Sequence, residues 1–157
     1  MAGLESIVAA RILTDLQRLD RSVIEIEHGL HASTMSEHRR FILGGVALAL
    51  QGMYSGLERT FQLIAEEIDH ATPRGDRWHQ QLLKRMASET ERRSAVVSET
   101  SAAHLNEMLE FRHVIRNIYA YELDYDRVEA LAREFGSWFA TIRLDLLRFA
   151  AFLDDSV

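Results

Sequence analysis

The chain contains no cysteine and a single proline, Pro73. The first absence excludes disulfides, thiolate metal sites and a cysteine nucleophile, and nothing asks for an oxidising compartment. The second leaves little to interrupt helices in a sequence rich in Ala, Leu, Glu, Arg and Gln. Long hydrophobic runs are missing as well. The longest apolar stretch, residues 41–50, is about half of the roughly 20 residues that cross a bilayer, and it reads as a buried helix. At the N-terminus no basic segment leads into an apolar run, and Glu5, Arg11 and Asp15 charge it, so neither a signal peptide nor a membrane span is expected and the expected location is cytoplasmic. There is no nucleophile elbow, P-loop, dinucleotide fingerprint or zinc-binding helix motif, and no cofactor is expected. His28 and His31, with Glu27 and His38 close by, lack any supporting carboxylate-histidine helix motif, so no metal site is expected either.

What is present describes a single helical domain over residues 1–157, because 47% hydrophobic content in 157 residues is enough to bury a real core. The net charge of -6 argues against broad, non-specific nucleic-acid binding, which needs clustered cations. Local basic clusters stand at His38-Arg39-Arg40, Lys84-Arg85, Arg92-Arg93 and residues 112–116, each readable as a solvated helix face.

Apolar periodicity points to an all-α, up-and-down bundle of about four long helices plus one short helix. Over residues 3–28, Leu4, Ile7, Val8, Ile12, Leu16, Leu19, Val23 and Ile26 share one face, and Ser33, Thr34 and Ser36 supply turn and N-cap chemistry. A second helix is expected over residues 37–68. Its Gly45, Ala49, Gly52 and Gly56 form a small-residue stripe suited to a close backbone, within the bundle or across a dimer. Glu66, Glu67, Asp69 and His70 read as a solvated acidic end, and residues 69–76 as a loop. A short helix is expected over 77–87, with Trp78 as a bundle anchor, then an irregular and somewhat mobile stretch over 88–100. The fourth helix is expected to run from about 98–101 to 118. Behind the N-cap Asp124, Val128, Leu131, Phe135, Trp138, Ile142, Leu146, Phe149 and Leu153 describe the last.

Chemistry concentrates in residues 111–124, FRHVIRNIYAYELD. At 100° per residue Arg112, Arg116 and Tyr119 fall on one stripe, and His113 and Asn117 on the next. Paired guanidinium groups suit a phosphodiester, whose oxygens they bind bidentately and whose transition-state charge they stabilise. An imidazole can move a proton, and RNA carries its own nucleophile in the 2′-hydroxyl. The same residues also fit an ordinary helix end, where cations offset the negative pole of the dipole.

This segment resembles the HEPN signature as HepT toxins carry it: an arginine, a polar residue, three positions, a histidine, one position and a tyrosine. Arg112, His113 and Tyr119 match, and Asn117 stands where the histidine belongs. Gly56-Leu57-Glu58-Arg59 with Phe61 and Ile64, Trp78-His79 with Leu82, Leu83 and Met86, and Tyr121-Glu122-Leu123-Asp124 are similar to the HepT-like set in order and spacing, so the resemblance spans roughly residues 40–150. It implies a homodimeric HEPN-like bundle that brings two signature segments into a cleft and cleaves RNA without metal. Arg112, Arg116, His113 and Asn117 would be catalytic, with Tyr121 and His79 lining the cleft. It also implies a toxin-antitoxin pair of the type VII kind, in which a minimal nucleotidyltransferase antitoxin silences the toxin by attaching AMP to Tyr119. Asparagine cannot take a proton at neutral pH. Three readings therefore stay open: His113 substitutes, the site works by arginine electrostatics alone, or the chain is a catalytically silent partner or substrate of the nucleotidyltransferase. A second register, Arg116-Asn117 with Tyr121, lacks a histidine too.

Overall fold

The computed structural model describes residues 3–156. They form five α-helices: α1 (Leu4–Ser33), α2 (Arg39–Glu67), α3 (Trp78–Met86), α4 (Glu99–Ile115) and α5 (Tyr125–Asp155), with a 3-10 turn (Ala120–Glu122) ahead of α5. No strand occurs among the described residues. The architecture is the all-α bundle that the periodicity implies.

Contacts fix the helix directions. As numbers fall along α1 from Gly29 to Asp15, their partners rise along α2 from Val46 to Thr60, so the two helices are antiparallel. Arg143 of α5 forks onto Asp20 of α1 at 2.9 and 3.0 Å, and Gly136 lies against Glu27, so α5 is antiparallel to α1 as well. At the other end Arg39 of α2 bonds Asp126 and Glu129 of α5, both at 2.8 Å, as parallel helices require. α1 is held mainly by α2 and α5, whereas α3 and α4 pack against α2 and each other.

All eight apolar positions read for α5 are buried, which is what one uninterrupted 3.6-residue stripe delivers. In α1 the stripe holds from Val8 onward, but Leu4 and Ile7 at its start are exposed. α1 also runs five residues beyond the expected end. Ser33 is not a turn residue: it is buried and its hydroxyl donates to the Leu30 carbonyl at 2.8 Å. The chain turns at Met35, which has φ 59°.

The small-residue stripe of α2 does not receive a close backbone within the bundle. A Cβ at Gly45 or Gly52 would meet nothing within 4 Å, and one at Gly56 would touch only the flexible ends of Leu19 and Arg59. The tight approach is on α1, where a Cβ at Gly29 would stand 2.6 Å from Cγ2 of Val46.

Residues 87–98 are irregular, as expected, yet pinned. Arg93 and Asp69 are both buried, contrary to their reading as solvated charges. Arg93 reaches Asp69 through two bonds of 2.7 and 2.6 Å, and Arg85 adds a third at 2.6 Å. Val96 and Val97 plug into the core beside this pair. α4 then starts from Ser98, whose hydroxyl caps the Ser101 N–H while the buried carboxylate of Asp145 gathers Ser98 and Ser101.

Candidate functional site

Tyr54 and Glu58 are four residues apart on α2 and both point inward, so a phenol and a carboxylate stand in a row of otherwise apolar core positions that includes Leu50, Leu57 and Phe61. The connection after α2 reverses through His70 (φ 51°) and Gly75 (φ 96°). It carries α3 back alongside α2, so that His79 faces Glu58 rather than the end of α2. His79 Nδ1 and Glu58 Oε2 are 2.6 Å apart, and the Trp78 ring stacks on the imidazole at 3.7 Å between centroids. With a carboxylate accepting at Nδ1, the neutral imidazole is the tautomer that carries its proton there and its lone pair on Nε2.

Arg112 approaches the same carboxylate from α4, with Nη1 at 4.0 Å from Glu58 Oε1 and its guanidinium carbon 5.9 Å from the centre of the Tyr54 ring. Its Nε is buried with no hydrogen-bond partner, the only such side-chain atom found among the described residues. A buried donor left unpaired costs about 1–3 kcal/mol, so the guanidinium has donor capacity to spare. Burial, first, and the negative charge of Glu58, second, push the Tyr54 phenol well above its ordinary value near 10, while Arg112 pulls the other way.

The raised phenol has a measurable consequence. Below pH 10 Tyr54 is protonated folded or unfolded, whereas above it the unfolded chain gives up this proton and the folded chain does not. Stability is therefore lost as pH rises through 10. Urea unfolding at pH 9 and pH 11 is expected to show a smaller loss in Tyr54→Phe than in the wild type, by on the order of 1 kcal/mol. Equal losses would show that the phenol titrates normally.

His79, Arg112, His113, Arg116 and Asn117 line one cavity of about 310 Å³ with Leu109, and His79 and His113 also border an adjoining cavity of about 680 Å³. Four of the residues singled out in the signature segment are thus brought together, and His79 joins them from α3. Tyr119 and Tyr121 line neither cavity. α4 stops at Ile115, three residues short of the expected end, so Tyr119 is not on the stripe of Arg112 and Arg116. Asn117 is the reason: its side-chain amide donates to the His113 carbonyl at 2.7 Å, and its backbone N–H turns to Val114, closing the last turn. Tyr119 then adopts extended angles and donates its N–H to Glu122 at 2.7 Å. The Tyr119 and Tyr121 rings are 71% and 72% exposed and stack on each other at 5.8 Å.

Glu58 and Tyr54 were not singled out as site residues by sequence reasoning. The available signal was a carboxylate at a core-facing position of α2, which is costly unless it has partners. A separate groove of about 450 Å³ between α1 and α2, bordered by Arg11, Arg18 and Arg59, shares none of these residues.

These features define a small all-α bundle in which two histidines and two arginines line one cavity. The model of the HepT-like protein family matches residues 45–153, well over half of the chain, and the chain therefore belongs to the HepT-like family of the HEPN superfamily. No curated protein and no solved structure matches it. No described helix is long and apolar enough to cross a membrane.

Proposed function

We propose that this chain is the toxin of a HepT-like toxin-antitoxin pair and an endoribonuclease working in the cytoplasm. The observation that carries this reading is the mostly buried Arg112 with an unpartnered Nε, at the wall of a cavity shared with Arg116 and two histidines. A phosphodiester of RNA is an anion that such cations can bind, and the 2′-oxygen supplies the nucleophile, so the protein needs only to bind, orient and stabilise charge. In-line attack yields a 2′,3′-cyclic phosphate and a 5′-hydroxyl.

The chain acts as a homodimer in this proposal. Support comes from the outer face of α2, where Phe41 is 86% exposed and Leu48 70%, and where Gly45 and Gly52 leave room for a second backbone. The control element is a minimal nucleotidyltransferase antitoxin that transfers AMP to Tyr119. The exposed phenol is open to such an enzyme, and the adduct would add a negative charge directly after the cavity-lining Arg116 and Asn117.

Purified protein incubated with cellular RNA in the presence of a chelator is expected to cleave it, leaving cyclic phosphate ends. Intact RNA with a folded protein overturns the enzyme reading. The capture of the Asn117 amide by the His113 carbonyl favours a second reading, a catalytically silent substrate of the nucleotidyltransferase. In that case intact mass after co-expression shows AMP on Tyr119 while RNA survives.

A further inference from the structure

The proton acceptor that a histidine at position 117 would supply is missing from α4, and Asn117 spends its amide on its own helix. A histidine does border the same cavity from another direction. His79 is 27% exposed at its side chain, bonded through Nδ1 to a carboxylate that is itself buried, and clamped on its face by Trp78. The first restraint occupies Nδ1 and the second a face of the ring, which leaves Nε2 as the free nitrogen. A buried carboxylate fixing the tautomer and orientation of an imidazole is the arrangement that makes a histidine an efficient base, and here it also stabilises the imidazolium that forms.

We infer that His79 is the catalytic base of this chain and that Glu58 is its positioning residue. The inference rests on the ribonuclease reading above and names the group that performs its first proton transfer. The 2′-hydroxyl proton passes to His79 Nε2 as the 2′-oxygen bonds to phosphorus. The bond from phosphorus to the 5′-oxygen breaks, that oxygen takes a proton from solvent, and His79 later releases its own. Arg112, nearest the other oxygen of the Glu58 carboxylate, lines the same cavity and is placed to meet the charge that builds on the phosphoryl oxygens. Glu58 thus holds the base by a hydrogen bond and stands 4.0 Å from the electrophilic stabiliser.

The test uses the full chain and a short RNA oligonucleotide. His79→Asn keeps a donor where Nδ1 stood, and with it the bond to Glu58, but has no counterpart of Nε2. It is expected to fold like the wild type and to lose about 10²- to 10⁴-fold in kcat with KM little changed. His79→Ala is expected to regain part of its activity in free imidazole, which a merely structural histidine would not allow. On the unaltered protein, binding of an oligonucleotide with 2′-deoxyribose at the scissile position is expected to shift the His79 ring resonances. If the wild type cleaves and His79→Asn cleaves within about threefold of it, the inference fails while the ribonuclease reading stands. If the wild type leaves RNA intact, both fail together. His79 resonances that stay still on binding also overturn the inference, whether or not the variants fold.

Discussion

Asp69→Ala is expected to lower the unfolding free energy by about 3–5 kcal/mol, because it strands a buried guanidinium. In a chain of this size that is on the order of 10 °C in thermal midpoint. Arg93 has no exposed side-chain surface and spreads its donors over five acceptors: both oxygens of Asp69 and the carbonyls of Arg85, Ser88 and Ser94. Asp69 is the only charged group among them. Removing it leaves Arg93 uncompensated at the junction where the stretch after α3 is tied to the end of α2. Arg85→Ala is expected to cost far less, since Arg85 is partly exposed and its loss leaves the bidentate pair intact. Asp69→Ala combined with Arg93→Met is expected to be more stable than Asp69→Ala alone, because an apolar side chain fills the space without a buried charge. A loss below about 1 kcal/mol for Asp69→Ala, measured by urea unfolding, would show that Arg93 finds water on its own.

The same pair marks the boundary of what sequence makes legible. The apolar stripe of α5 is readable because its eight positions follow from one local period, whereas the buried Asp145 is not, and Asp124 caps the helix as read, accepting from the Arg127 N–H at 3.1 Å. Arg93 and Asp69, 24 positions apart, look like two solvated charges until the chain folds back on itself. The site divides in the same way. Arg112, His113, Arg116 and Asn117 are grouped by helical arithmetic along one stretch of chain, and all four line one cavity. Tyr119 falls on their stripe only if the helix extends past Asn117, whose amide competes for the backbone that would continue it. The partnership of Glu58 with His79 is tertiary: it depends on α3 running back along α2, and no periodicity within either helix contains that information.

The largest effect on activity is expected at Arg112. Its guanidinium is the one cation of the cavity that is mostly buried, it lies beside a buried carboxylate and over the Tyr54 ring, and its Nε has no protein acceptor to give up when a substrate arrives. Arg112→Ala is expected to reduce kcat by about 10²- to 10³-fold, the scale of removing a preorganised donor to transition-state charge. The fold should survive it, since Glu58 keeps its bond to His79. Arg112→Lys separates charge from geometry. The ammonium restores the positive charge but cannot donate in a planar fork, so substrate affinity is expected to recover more than kcat does. Asn117→Ala supplies the contrast: its amide serves the end of α4, so its loss is expected to trim stability by about 1 kcal/mol and leave kcat within a few-fold. The opposite order, with Asn117→Ala inactive and Arg112→Ala active, would move the chemistry onto the exposed end of α4 and away from the buried Glu58 anchor. Oligonucleotide cleavage measured together with thermal unfolding on the three variants decides between these arrangements.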